Sequence, residues 1–297
     1  MLGHGDRKFT ESALLATSTA RDWDSIAVEV RRHAAGPIAP FVTESTELTL
    51  ILTASKRASV FRAAHGVRQN APALPGTTFL IPAATREEAT FLTGDIPEVM
   101  HLYLSQALFG DIAQEEDLPA FDPRNVHYVS GVRDPTLAWL ARRIGRELRH
   151  ETAGGQALVE LLGLALAERM VLNYCDGASR RRTFPTPVMG LDPARVRRVL
   201  DFVDANLERP ISIRDMASVA CLSPFHFARA FRVTTGKPPH RYLAEQRLRM
   251  ARRLLLHSDE SLVSIAVSCG FAGQSSFTRA FTAATGTPPG AFRSSER

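Results

Sequence analysis

The stretches "FHFARAFRVTTGKPP" (225–239) and "SSFTRAFTAATGTPP" (275–289) share one skeleton: F-x-R-A-F, four residues, then G-x-P-P. Spacings of three and four place Phe227, Ala230, Phe231 and Thr234 on one side of an α-helix. Phe277, Ala280, Phe281 and Ala284 repeat that pattern, so each stretch predicts a helix with a core face. Phe225, Ala228, Arg229 and Arg232 lie opposite in the first copy, and Ser275, Thr278, Arg279 and Thr282 in the second. A glycine followed by two prolines stops each helix.

The residues upstream complete the unit. Ser212 with Asp215 forms a capping-box pattern at the start of "SIRDMASVAC", and "CLS" (221–223) makes a short turn. Ser223-Pro224 then supplies an N-cap and a first-turn proline. Helix, tight turn and helix define a helix-turn-helix. "SLVSIAVSC" (261–269), "GFAG" and "QSSFTRAFTAAT" repeat it. Ile213 aligns with Leu262 and Met216 with Ile265, whereas Phe227 aligns with Phe277, so the second turn holds one extra residue. Cys221 stands where the second copy has Gly270. If that position needs a positive φ, the first turn must be built differently.

Charge supports a polyanionic partner for this part of the chain. Of 36 Lys+Arg and 31 Asp+Glu in all, residues 193–297 hold 16 and 8. An arginine on an outward helix face can bond both acceptors of a guanine edge in a major groove. Small neighbours such as Ala and Thr permit close approach and contact with a thymine methyl. A lone outward arginine is ordinarily surface decoration. Two at matching places in two such units favour base reading.

These residues resemble a known family. "LSPFHFARAFRVTTGKPPHRYLAEQRLRMARRLL" and "IAVSCGFAGQSSFTRAFTAATGTPPGAFR" are similar to the double helix-turn-helix domain of AraC/XylS-type bacterial transcription regulators, over roughly 192–297. The resemblance implies two recognition helices joined by a long helix at about 238–257, entering successive major-groove segments. Carried over by motif, base contacts would come from Phe225, Ala228 and Arg229 in the first unit. In the second they would come from Gln274, Ser275, Ser276, Thr278 and Arg279, with Arg232 as a phosphate contact. It also implies promoter DNA and RNA polymerase as partners, a homodimer, activation as the commoner direction, and a cytoplasmic, nucleoid-associated location.

The rest of the chain differs in texture. "ELTLILTAS" (47–55), "ASVFRA" (58–63), "TTFLIPA" (77–83), "EATFLT" (88–93) and "VMHLYLS" (99–105) read as strands of a small barrel or sandwich. "TARDWDSIAVEVRRHAAG" (19–36) is read as a helix before the barrel. Two helices, 134–151 and 156–175, then form an αα-hairpin whose apolar stripe either packs on the barrel or serves as a dimer seam. "DGASRRRTFPTPVMG" (176–190) reads as a linker. The expectation is thus an α+β multidomain chain. Residues 1–133 form a cupin-like effector-binding domain, similar to those attached to many family members, and 134–175 a helical hairpin for dimerisation. Residues 176–191 are a linker, and 192–297 an all-α double helix-turn-helix domain.

Other classes have less support. No run of about 18 apolar residues exists, and "MLGHGDRKFTES" lacks a secretory layout, so the expectation is a cytoplasmic chain with no membrane partner. His33, His65, His101 and His127 are scattered singly, without the clustered His-x-His of a metal-binding cupin, so no metal or other cofactor is expected. Cys175, Cys221 and Cys269 are read as buried free thiols. A DNA alkyl-transfer enzyme would need one of them activated, and none has a base nearby in sequence. The function expected is therefore a non-enzymatic, sequence-specific DNA-binding regulator answering to a small molecule. The alternatives are the same regulator with a constitutive dimerisation module, and a cupin-type or alkyl-transfer enzyme with an appended DNA-binding domain.

Overall fold

Strand β5 (Thr46–Thr53, TELTLILT) shows how the first unit is built. Its side chains alternate, Leu48 and Leu50 on one face and Glu47 and Thr49 on the other, yet both faces are buried. The polar face, with Glu47 and Thr49, lines the inside of a two-sheet shell. The computed structural model describes residues 4–21, 23–115, 122–175 and 190–296. The described residues of 1–149 and 162–183 form one unit, and those of 150–161 and 184–297 the other.

In the first unit, α1 (His4–Lys8) precedes β1 (Ala13–Thr17), β2 (Ile26–His33), β3 (Gly36–Ile38), β4 (Phe41–Val42) and β5. There follow β6 (Ser59–Ala64), β7 (Val67–Pro72), β8 (Thr78–Ile81), β9 (Arg86–Leu92) and β10 (Ile96–Leu104). After α2 (Gln106–Glu115) and a 3-10 turn comes β11 (Val129–Val132). One sheet has the order β1-β2-β10-β5-β8-β11; the other runs β3-β9-β6-β7, with β4 also on β9. The pairings are antiparallel. The five strands expected from sequence are β5, β6, β8, β9 and β10.

The helix expected at 19–36 is not formed; its centre is β2. Ile26, Val28 and Val30 alternate with Ala27, Glu29 and Arg31, and the β-branched residues favour a strand. The charged residues misled because they are interior. Arg31 is 1% exposed, and its Nε donates to Glu29 Oε2 at 2.7 Å, with Asp6 on its Nη2. Helices α3 (Pro135–Arg149) and α4 (Gly155–Tyr174) follow, as expected. Asp134 caps α3, accepting from the Thr136 and Leu137 amides, and its other oxygen accepts from Arg169 Nε and Tyr174 Oη of α4. Residues 155–161 of α4 count with the second unit and 162–174 with the first. The expected linker falls, apart from 190 and 191, outside the described residues.

Two of the histidines read as scattered come together. His33 on β2 and His101 on the adjacent β10 meet with Nε2 atoms 3.1 Å apart. Sequence separation hid this, because neighbouring strands in a sheet are not neighbours in the chain. Among the described residues no group of three or more His, Cys, Asp or Glu is arranged to hold a metal.

Candidate nucleic-acid interface

The second unit is helical: α5 (Pro193–Asp204), α6 (Ile213–Val219), α7 (Pro224–Thr235), α8 (Pro239–His257), α9 (Leu262–Ser268), α10 (Gln274–Thr285) and α11 (Pro289–Glu296). Local sequence sets the helix starts. Asp192 accepts from the Arg195 amide at 2.9 Å, and Ser212 and Asp215 form a complete capping box. Ser223 and Ser261 accept from the His226 and Ser264 amides. Helices α7 and α10 both end at left-handed glycines, Gly236 and Gly286.

Each unit has its own core. Phe227 and Phe231 (ring centroids 5.4 Å apart) pack with Ile213, Met216 and Leu243. Phe277 and Phe281 (5.6 Å) pack with Ile265, Ala266 and Leu255. All four phenylalanines are fully buried. The core face is one turn shorter than the sequence pattern implies, for Thr234 and Ala284 are exposed. Thr234 instead uses its hydroxyl to accept from the Leu191 amide at 2.7 Å.

The two turns are built alike despite Cys221 standing where the other copy has Gly270. Cys221 takes φ 53° and Gly270 takes φ 68°. The expectation of a differently built first turn is therefore corrected: the cysteine accepts the left-handed conformation. Cys221 is exposed, against the reading of three buried thiols, while Cys175 and Cys269 are buried. Burial pushes the Cys269 thiol up to about 12, the opposite of an activated thiolate.

Arg247 on α8 holds the pieces together. It is 6% exposed, and its guanidinium donates to the carbonyls of Leu207 (3.1 Å), Ala153 (2.7 Å) and Arg209 (2.7 Å). Burial, chiefly, lowers its pKa to about 10. Residues 150–161 add further support. Ala157 and Leu161 join the first core, Ala153 joins the second, and Glu160 Oε2 accepts from the Ile213 amide.

The outward face is where the candidate contacts lie. Arg229, Arg232, Gln274, Ser275 and Arg279 are exposed, and Phe225, Ala228 and Thr278 are half-buried. The Arg229 guanidinium sits over the Phe225 ring, 5.3 Å from its centroid, so Phe225 steadies the arginine it was grouped with. Ser276 differs from the rest of this set in burial. It is buried, and its Oγ donates to the Gly273 carbonyl at 2.8 Å at the uncapped start of α10. His226, its counterpart in the first copy, is exposed one turn before Arg229.

Two capped helix-turn-helix units, each presenting an arginine from its second helix, define a DNA-binding class of domain. Residues 216–295 match the family described as "Helix-turn-helix domain". An uncharacterised HTH-type transcriptional regulator of Bacillus subtilis, YobQ, is 35% identical over 92 residues, 31% of this chain and 38% of that protein. A putative AraC-like transcription regulator of Streptomyces lividans is 28% identical over 186 residues, 62% of this chain and 60% of its own length. The chain thus spans less than two thirds of these relatives. The solved DNA-binding domain of AdpA, a global transcriptional factor in complex with a target DNA, is 31% identical with a TM-score of 0.34. That likeness covers 35% of this chain and 93% of that one. The C-terminal helical domain thus contains a helix-turn-helix domain and is similar to AraC-like regulators.

Proposed function

We propose that this chain is a sequence-specific DNA-binding transcription regulator whose N-terminal unit holds a small-molecule effector. The observation that carries the reading is the matched pair Arg229 and Arg279, both exposed on the second helices of two capped units with separate phenylalanine cores. Helices α7 and α10 lie in successive major-groove segments. Helix α8, 19 residues and therefore about 28 Å long at 1.5 Å per residue, acts as the spacer. Phosphate contacts, with Arg232 among them, supply salt-dependent affinity, and the outward residues of α7 and α10 supply discrimination.

The proposal extends to a non-enzymatic, cytoplasmic homodimer that activates transcription through RNA polymerase. Trp139, 58% exposed on α3, is the feature that favours a dimer seam there. No helix among the described residues is long and apolar enough to cross a membrane. The test is selection of DNA from a random pool by the full chain, followed by binding titrations of the selected and scrambled duplexes at several salt concentrations. Equal affinity for both duplexes overturns the reading.

A further inference from the structure

The shell of the first unit holds a partly open cavity, with about 50 Å³ of space for the centres of water-sized molecules. Most of its wall is apolar, with Ile38, Ile51, Val60, Phe79, Leu92 and Val99 among the lining residues. Such a space suits a compact ligand.

The polar part of the wall is one connected network. Lys8 Nζ donates to Glu47 Oε2 at 2.7 Å and reaches Glu87 Oε2 at 2.8 Å. Glu47 Oε1 accepts from His101 Nδ1 at 2.8 Å and from Thr49 Oγ1 at 3.1 Å. Glu87 Oε1 accepts from Tyr128 Oη at 3.2 Å and faces Arg62 Nη1 at 3.5 Å. Two buried carboxylates thus meet two buried cations, and every carboxylate oxygen already has a partner.

Two histidines join this network. His101 Nδ1 bonds Glu47 Oε1, and the Nε2 atoms of His101 and His33 share one hydrogen bond across their 3.1 Å contact. Burial, first of all, lowers the pKa of His33 to about 3, which keeps that ring uncharged. The hydrogen-bonding capacity left over includes a donor at Arg62 Nη1, which makes no hydrogen bond, and the Thr90 hydroxyl on the same wall. A charged ligand would lose its hydration and meet no uncompensated opposite charge. A hydroxyl or carbonyl could use the remaining capacity without that cost.

We propose that this cavity takes a compact, uncharged, mostly apolar molecule bearing one hydroxyl or carbonyl, and rejects carboxylates and ammonium ions of the same shape. The proposal rests on the reading of the N-terminal unit as a ligand-binding one.

Calorimetric titration of the full chain with benzyl alcohol, benzoate and benzylammonium tests it, with hexanol, hexanoate and hexylammonium as a second shape. The expected result is binding of at least one alcohol, with its two charged partners weaker by ten-fold or more. Removing one charge should then redirect the preference. Glu87→Gln leaves a cation uncompensated and should raise benzoate over benzyl alcohol by at least ten-fold relative to the parent chain. Lys8→Met leaves an anion and should favour benzylammonium instead, which serves if the first variant fails to fold. Benzoate or benzylammonium binding the parent as tightly as the alcohol overturns the proposal. No binding by any of the six probes overturns both the proposal and the ligand-binding reading. An alcohol that binds without altering affinity for selected DNA leaves the ligand class standing and overturns the sensory role.

Discussion

A Cβ added to Gly270 would lie 2.6 Å from Nη2 of Arg247 and 2.5 Å from the Leu207 carbonyl oxygen that Arg247 itself binds. The second turn is therefore closed over a guanidinium that three carbonyls hold in place. Gly270→Ala must displace a fixed side chain or backbone while also occupying φ 68°. It should cost about 2–4 kcal/mol, from left-handed strain plus overpacking. Cys221 has the same backbone without glycine's freedom, so Cys221→Gly should stabilise by about 0.5–1 kcal/mol. Urea titrations of both variants check the opposite signs.

The second unit should need more than its helix-turn-helix sequence. Residues 150–161 give it an acceptor for Arg247, a carboxylate on the Ile213 amide and apolar contacts in both cores. A fragment 150–297 should be more stable than a fragment 190–297 by about 2–5 kcal/mol, the range for a lost buried hydrogen-bond pair and its packing. Equal denaturation midpoints and slopes would show that this strand of support is idle.

Arg279→Ala should weaken binding to selected DNA by about 1–3 kcal/mol and relax preference at one base position. Arg232→Ala should instead weaken all duplexes alike and reduce the salt slope by about one. Ser276→Ala provides the contrast. Its hydroxyl is turned inward to Gly273, so it should alter stability by about 1 kcal/mol and leave base preference untouched. Binding to single-base variants of the selected duplex separates the three outcomes.

The first unit should lose stability as pH falls from about 6.5 to 5, where histidines protonate once unfolded. Burial is the leading cause that holds His33 at about 3 and His4 at about 4, so both bind a proton on unfolding but not before. Proton uptake on unfolding makes stability fall with falling pH, by up to about 1.4 kcal/mol per unit for each histidine. The groups around His33 sharpen the window. Lys8, Arg31 and His101 disfavour its charge and Glu47 favours it, while Glu47 itself is held low by Lys8 and acts only at more acid pH. Denaturant titrations between about pH 5 and 6.5 should show the slope, and His33→Gln should remove about half of it. An unchanged slope in that variant would assign the effect elsewhere.

The helical half was legible because its signals are local. A Ser or Asp cap, a proline in the first turn and phenylalanines four apart each specify their own few residues, and the structure places them accordingly. The shell was harder to read because its inside is polar. Glu29 and Arg31 look like the solvent face of a helix in "IAVEVRRH", but they neutralise each other within the sheet. The His33–His101 pair depends on β2 lying beside β10, which no window of sequence contains. The burial of Ser276 was hidden for a similar reason. Helix periodicity cannot show that α10 lacks a capping side chain and that the serine turns back to its start.

The outward residues of α7 and α10 are unlike, with Phe225 and Ala228 beside one arginine and Ser275 and Thr278 beside the other. The repeat is thus symmetric in scaffold and asymmetric in surface. Along any duplex it occupies, such a chain has a head and a tail. Turning its site end for end would present each helix with the other's bases, so a single protomer would report which way a promoter points.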